Sequence, residues 1–292
     1  MTTSRPRGGA RRAAWLPLAP VLTLYTIQFV VPMALVAITS FRRHQGAGEM
    51  GGFTTDNFAK ILQDPYYLGM LGRSMLLAGE TAVLTAILGY PIAYALARGP
   101  RWLKVVLLVV VLVPLMTSSV VRSFGWMVLF ARDGIFSTLA GPLGDGPAGL
   151  MYTSTGVLIA TAHVLLPFMV LTLYGVLDRL NPTLAHASMN LGASRTGTFF
   201  RITLPLSMNG VVAGMLLVFA TATSAFVTPQ LIGGTRYRVA ATEIYEQSIN
   251  LLNWPLASAM AVLLVTIALI TMAVYTRLSR DTGGSGATGV IG

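Results

Sequence analysis

Six long stretches nearly free of charge divide this sequence. They are residues 13–41, 74–97 (interrupted by Glu80 alone), 105–131 (interrupted by Arg122 alone), 146–177, 202–235 and 247–276. An apolar run of about 20 residues is long enough to cross a bilayer as a helix. Lipid offers no hydrogen bonds, so a crossing segment must satisfy its own backbone. The predicted fold is therefore all-α, a polytopic membrane protein with six transmembrane helices. Composition agrees. Hydrophobic residues make up 54% of the chain and charged residues 10%, against roughly 25% charged in an ordinary globular protein. Pro32, Pro91, Pro114, Pro167 and Pro229 lie in or near the runs, and neighbouring helices can re-satisfy the carbonyls they free.

The first run follows Arg5, Arg7, Arg11 and Arg12, as the apolar part of a signal peptide would. It is about twice too long and has no clear small-residue cleavage site, so it reads as a retained first helix. Lys/Arg bias sets the orientation. With the N-terminus in the cytoplasm, segments 1–16, 98–104, 178–205 and 277–292 face inward and hold twelve basic and two acidic residues. Segments 42–73, 131–150 and 236–246 face outward and hold seven of each. Both termini are thus expected in the cytoplasm. The net charge of +10 is spread over short gaps between spans, which argues against nucleic acid as a partner. No cysteine is present, and His44, His163 and His186 are scattered, so neither a disulfide framework nor a zinc site is expected.

Two loops carry local signals. On the outer side, Asp56 reads as the N-cap of a short amphipathic helix with Phe58, Ile61 and Leu62 on one face. On the inner side, segment 178–205 is the longest loop. Asn181 can cap a helix with Pro182 at its first position. Gly192 can end that helix in the left-handed conformation, and Ser194 can cap a second helix leading to Pro205. A helix–turn–helix of this kind protruding from the membrane offers a partner a compact surface.

This loop resembles that of the permease subunits of bacterial ABC importers, the binding-protein-dependent type 1 family. Their pattern is Glu-Ala-Ala, three residues, Gly, nine residues, Ile, one residue, Leu-Pro. The chain has His186-Ala187-Ser188, then Gly192, then Ile202, Leu204 and Pro205 at the same spacing. It departs from the pattern at His186, where the family has Glu, and at Ser188, where it has Ala. Leu88-Gly89-Tyr90-Pro91-Ile92-Ala93-Tyr94 and the stretch from Val113 to Trp126 resemble the spermidine/putrescine-type branch. So do Leu165-Leu166-Pro167-Phe168-Met169, Leu231-Ile232-Gly233-Gly234 and Asn253-Trp254-Pro255.

The resemblance implies a type I importer permease fold: a cytoplasmic segment 1–16, a first helix 17–41, a periplasmic loop 42–70, a transmembrane type-1 domain 71–277 and a flexible cytoplasmic tail 278–292. It implies location in the bacterial inner membrane and a small polar solute, a polyamine such as spermidine or putrescine before an aminophosphonate, ferric ion or amino-acid derivative. It implies a cytoplasmic ATPase dimer docked on loop 178–205, a second homologous permease forming a heterodimer, an extracytoplasmic solute-binding protein, and membrane lipid as surroundings.

No catalytic residue is expected. A phosphate-binding P-loop needs Gly-Lys-Ser/Thr, whereas Lys60 follows Ala59 and Lys104 follows Leu103. No cofactor is thus expected on this chain; ATP and Mg²⁺ belong to the partner. An ion-coupled secondary transporter, often built from a repeated half, is the rival class, but no repeat is evident. Ionisable groups within spans are costly and normally face a wet cavity or the bundle interior. Glu80 reads as a carboxylate on the solute path, as a partner of Arg122, or as a shallow group reaching outer water. Arg122 is a snorkelling side chain or a gating residue. Trp126 and Phe124 are interface anchors or stack on a cationic solute. His163 is an interior hydrogen-bonding group or a path residue. Glu243 and Glu246 read as a solvated loop face or a binding-protein contact.

Overall fold

The computed structural model describes residues 19–46, 48–131 and 150–284. The expected N-terminal segment 1–16 and almost all of the outer segment 131–150 lie outside the described residues. Helix α1 (Ala19–Ser40) contains Pro32 and leads into an antiparallel hairpin, β1 (Arg42–Gly46) and β2 (Glu49–Phe53). The hairpin was not expected. Gly46 and Gly48 hold positive φ at its turn, a conformation glycine adopts without a Cβ penalty. The amphipathic α2 (Asp56–Gln63) follows. It starts one residue earlier than expected: Thr55 is the cap, and Asp56 is its first residue, paired instead with Arg43 at 3.0 Å. The Thr54 hydroxyl, then Arg43, hold the Asp56 carboxyl below its ordinary pKa. Asn57 donates to the Ser40 and Arg42 carbonyls at 2.9 and 2.8 Å and ties α2 to the end of α1.

Helix α3 (Pro65–Arg98) is the longest, 34 residues. It begins well before the charge at Arg73, because Asp64 caps it through the Tyr66 N–H and Pro65 sits in its first turn. The third apolar run is not one helix. α4 (Arg101–Met116) and α5 (Ser119–Phe130) meet at a 103° bend. α6 (Ser154–Leu177) is followed by the short α7 (Pro182–Asn190) and α8 (Arg195–Thr198). A π-helical turn, Phe199–Thr203, then joins α8 to α9 (Leu204–Thr223). The fifth apolar run stops being a spanning helix at Thr223. Its remainder folds as a π turn, Pro229–Gly233, α10 (Ala240–Tyr245) and a second π turn, Glu246–Asn250. α11 (Trp254–Gly284) closes the described chain. The tail expected from residue 278 is thus helical to Gly284. Five helices are long and apolar enough to cross a membrane, and six spans result when the bent pair counts as one. Apart from the small hairpin, the described chain is helical, as expected.

α3, α6 and α9 form the central packing unit. Ala78, Ala82, Leu96, Met169, Leu173, Leu177 and Val218 are buried between them. α1 lies against α11 with its apolar side chains turned outward, as a helix facing lipid should. Lipid tails are as apolar as leucine, so these helices associate by close fit rather than by escape from water. Glycine gives that fit. A Cβ on Gly210 of α9 would sit 2.9 Å from Cβ and Cγ2 of Val176. Val176 is β-branched and cannot swing aside.

Gly210→Ala is therefore expected to cost about 1–3 kcal/mol of stability by overpacking. Gly175→Ala, which meets nothing within 4 Å, should cost none. Thermal unfolding in detergent reads the difference; equal melting of the two variants would count against glycine-mediated packing of α6 on α9.

Candidate functional site

The hairpin between α6 and α9 is built from local signals. The Asn181 side chain accepts from the Thr183 N–H at 3.0 Å. Gly192 stands at φ +89°, and its N–H donates to the Met189 carbonyl at 3.0 Å. The Ser194 hydroxyl accepts from the Gly197 N–H at 3.1 Å. Across the turn, Ser188 and Thr198 share a hydroxyl–hydroxyl bond of 3.1 Å. Ser188 thus pins the two arms together. The arrangement holds α7 away from the body: none of its nine residues is buried. Leu191 is 90% exposed and Leu184 48%, while His186 and Ala187 are exposed on the same short helix.

Two attachments fix the base of this hairpin. The Arg98 guanidinium, at the end of α3, donates to the Leu180 and Leu177 carbonyls at 2.7 and 3.3 Å. Lys104 lies 3.5 Å from Asp178 and 4.8 Å above the Tyr174 ring. A third attachment was not foreseen from the sequence. Phe199, in the π turn, makes edge contacts with both Tyr90 (5.5 Å) and Tyr94 (5.6 Å) of α3. The Tyr90 hydroxyl is 2.7 Å from the buried Ser207 hydroxyl of α9. Each such aromatic pair contributes about 0.5–1.5 kcal/mol beyond its area. The π turn has a cause in Pro205. With no N–H to give, it removes the α-helical bond to the Arg201 carbonyl, and the Leu204 N–H reaches back five residues to Phe199 instead. Ile202 and Leu204 are half-buried beside it, and Pro205 is exposed.

The ionisable residues of the spans divide into separate groups. Arg122 makes no ion pair with Glu80 among the described residues. It folds back over the bend, donating to the Pro114 carbonyl and, at 3.2 Å, to the Ser119 hydroxyl. Ser118 caps α5 through the Val120 N–H. Trp126 and His163 are brought together: the indole N–H donates to His163 Nδ1 at 3.3 Å, and the Trp126 ring also packs on Phe130. Arg122 lies near enough to act on His163 electrostatically. Phe124 is exposed.

Glu80 stands apart and exposed on α3, near Tyr237. It belongs to a stripe of exposed residues, Arg73, Leu76, Glu80, Val83, Ile87, Pro91 and Tyr94, whose three- and four-residue spacing marks one helix face. Among the described residues no three metal-ligating side chains converge.

Glu243 is the functional-looking carboxylate that sequence reasoning misplaced. It is not on a solvated loop face: its side chain is 3% exposed. It accepts from Tyr66 Oη at 3.0 Å, Arg238 at 3.2 Å and Gln247 at 2.8 Å. Burial works against the Arg238 charge, but Glu243 and Tyr66 together outweigh it and leave the guanidinium above its ordinary pKa. Glu246 is half-buried and accepts from Asn250 at 2.8 Å.

Residues 87–284 match the family described as "Binding-protein-dependent transport system inner membrane component". The spermidine/putrescine transport system permease protein PotB of Salmonella typhimurium (strain SL1344) is 34% identical over 253 residues, covering 86% of this chain and 88% of that protein. PotB of Haemophilus influenzae is 30% identical over 264 residues, covering 89% and 92%. A chain in the crystal structure of a bacterial alginate ABC transporter, in complex with alginate pentasaccharide-bound periplasmic protein, shares the fold. Its TM-score is 0.76 at 15% identity, with 93% of this chain and 95% of that chain covered. The chain belongs to the binding-protein-dependent transport system inner membrane components and is a non-catalytic permease subunit of an ABC importer.

Proposed function

We propose that this permease forms one half of a membrane path for a polyamine such as spermidine or putrescine, and that its 178–205 hairpin is the handle by which a separate ATPase drives it. The observation that carries the handle is α7: a nine-residue helix with no buried residue. Isolated helices this short are marginal in water, so one that displays Leu184 and is capped by the exposed Leu191 is suited to being covered by a partner. The coupling residues are His186, Ala187, Ser188, Gly192, Ile202, Leu204 and Pro205. The solute class is supported by the relatives' identity as spermidine/putrescine permeases and by Glu80. A carboxylate on an exposed stripe of α3 suits a cationic solute if that stripe faces a second, similar permease across the path. Arg122, Trp126 and His163 form a separate polar group, the second candidate stretch of the path.

Both termini lie in the cytoplasm in this reading. Two ATPase subunits hold ATP and Mg²⁺ below the membrane, and a solute-binding protein delivers from outside. ATPase closure displaces α7. The Phe199–Tyr90–Tyr94 clasp and the Arg98 bonds carry the displacement to α3, and the Tyr90–Ser207 bond carries it to α9. The two states of the path then differ in affinity for the solute, and by linkage the solute biases the ATPase reciprocally.

Three outcomes are expected. Deleting residues 182–204 should leave membrane insertion intact and abolish co-purification of the ATPase; a retained ATPase would refute the handle. Phe199→Leu should leave the ATPase bound but lower uptake several-fold more than it lowers ATP turnover. Parallel losses, measured in proteoliposomes, would remove the clasp from the coupling route. Glu80→Gln should weaken spermidine uptake, and unchanged kinetics would take Glu80 off the path.

A further inference from the structure

We propose that the hairpin presents a cationic socket, made by Arg98 and Arg195, that receives an acidic segment of the ATPase, with His186 removing the carboxylate that the family pattern has there. The proposal rests on the docking reading above and adds the chemistry of the partner. A cavity of about 400 Å³ opens between α7, the Arg195–Thr203 arm and the end of α3. Pro182, Ala185, His186 and Met189 all line it, and their spacing makes them one face of α7. His186 therefore faces the cavity rather than the outer side of the helix.

Arg195 and Arg98 line the cavity as well, and no acidic residue does. Between residues 179 and 242 the sequence contains no Asp or Glu at all. The neighbouring Asp178 is engaged by Lys104 at 3.5 Å and is absent from the cavity wall. Arg98 spends hydrogen bonds on two carbonyls, which are neutral and leave its charge uncompensated. His186 and Arg195 are exposed and make no side-chain hydrogen bond or ion pair among the described residues. Leu184 and Ile202 supply apolar wall, which lowers the local dielectric and strengthens any charge pair formed inside.

Topology alone does not explain this arrangement. Cytoplasmic retention requires Lys and Arg somewhere in the loop. It does not require them around one cavity, nor a histidine where the family has a carboxylate. The two uncovered guanidinium charges of Arg98 and Arg195 facing one concavity are the pattern that complementary interfaces neutralise on binding.

The test uses the full chain in the assembled importer with its own ATPase. Arg195→Glu and His186→Glu should each lower the ATPase retained on the purified permease, and the pair together by about tenfold or more. Raised salt should weaken wild-type retention. Changing an acidic residue of the ATPase cleft to Arg should restore binding to the His186→Glu permease. Unchanged melting of both variants confirms that the fold is intact, as expected for exposed side chains.

Tighter binding by His186→Glu would overturn the proposal by showing a basic cleft. Undiminished retention in both variants would overturn it too. If retention persisted but binding to vesicles containing phosphatidylglycerol were lost, the socket would belong to an anionic lipid headgroup. Loss of the ATPase on deletion of 182–204 with no effect of either charge reversal would sink the socket alone. Retention after that deletion would sink the docking reading beneath it.

Discussion

Backbone hydrogen bonding in a medium that supplies none governs this molecule. A helix satisfies itself, so each place where a helix must stop, bend or turn inside the apolar layer needs a device. At the α4–α5 bend the device is a side chain: Arg122 donates to the Pro114 carbonyl, and Ser118 caps the next helix. At Pro205 it is a change of helical register, in which the Leu204 N–H reaches Phe199. In the connection before α11 two π turns and a buried carboxylate share the task. Glu243 takes three donors from Tyr66, Arg238 and Gln247, and the Ser74 hydroxyl accepts from the Ala240 N–H at 2.7 Å. A buried carboxylate with its donors in place is tolerable, and one without them is expensive.

These devices also distribute rigidity. Breaks in helices are where π turns and hinges collect, and here the break at 199–203 coincides with the aromatic contact to α3. Phe199 is thus both the point at which the chain leaves α-helical register and the point at which the hairpin grips the central bundle. A lever attached only through a flexible turn would dissipate a push from its tip. The two tyrosine contacts and the Arg98 bonds give this one a second support, so in the proposed handle a displacement of α7 would reach α3 along with α9. α3 then carries any such motion along its 34 residues, past Glu80, to the opposite end where Tyr66 holds Glu243.

Much of this was legible in the sequence, and what was not has physical reasons. The number of spans and the hairpin's caps follow from strictly local signals: apolar length, Asn181 before Pro182, Gly192, Ser194. The edges of the spans were less legible, because charge was used to mark them. Arg73 looked like a membrane edge, yet α3 starts at Pro65. Conversely, the stretch from 224 to 235 carries no charge but holds Pro229, Gly233 and Gly234, and it does not continue the helix. The bend at Thr117–Ser118 lies inside an apolar run long enough for one span and interrupted only by the charge of Arg122, with Pro114 and the polar Thr117-Ser118-Ser119 as its local warnings. The remaining misses are long-range. Tyr90 and Ser207 meet across 117 residues, and Glu243 meets Tyr66 across 177. No periodicity reports such pairs, and a carboxylate in a short loop reads as solvated until its donors are seen.

The two departures from the family pattern within the hairpin acquire different meanings from this geometry. Ser188 turns inward and acts within the chain: its hydroxyl meets Thr198 across the turn, stiffening the two arms against each other where an alanine would offer no polar contact. His186, two residues earlier, turns to the cavity and touches no polar group of its own chain. A substitution absorbed internally needs no change in a partner, whereas one that alters the charge of an exposed concave face does. In the proposed docking, the cost of the second falls on another polypeptide. If the hairpin docks as proposed, the identity of residue 186 bears on which ATPase this permease fits, while residue 188 bears on how firmly the two arms hold together.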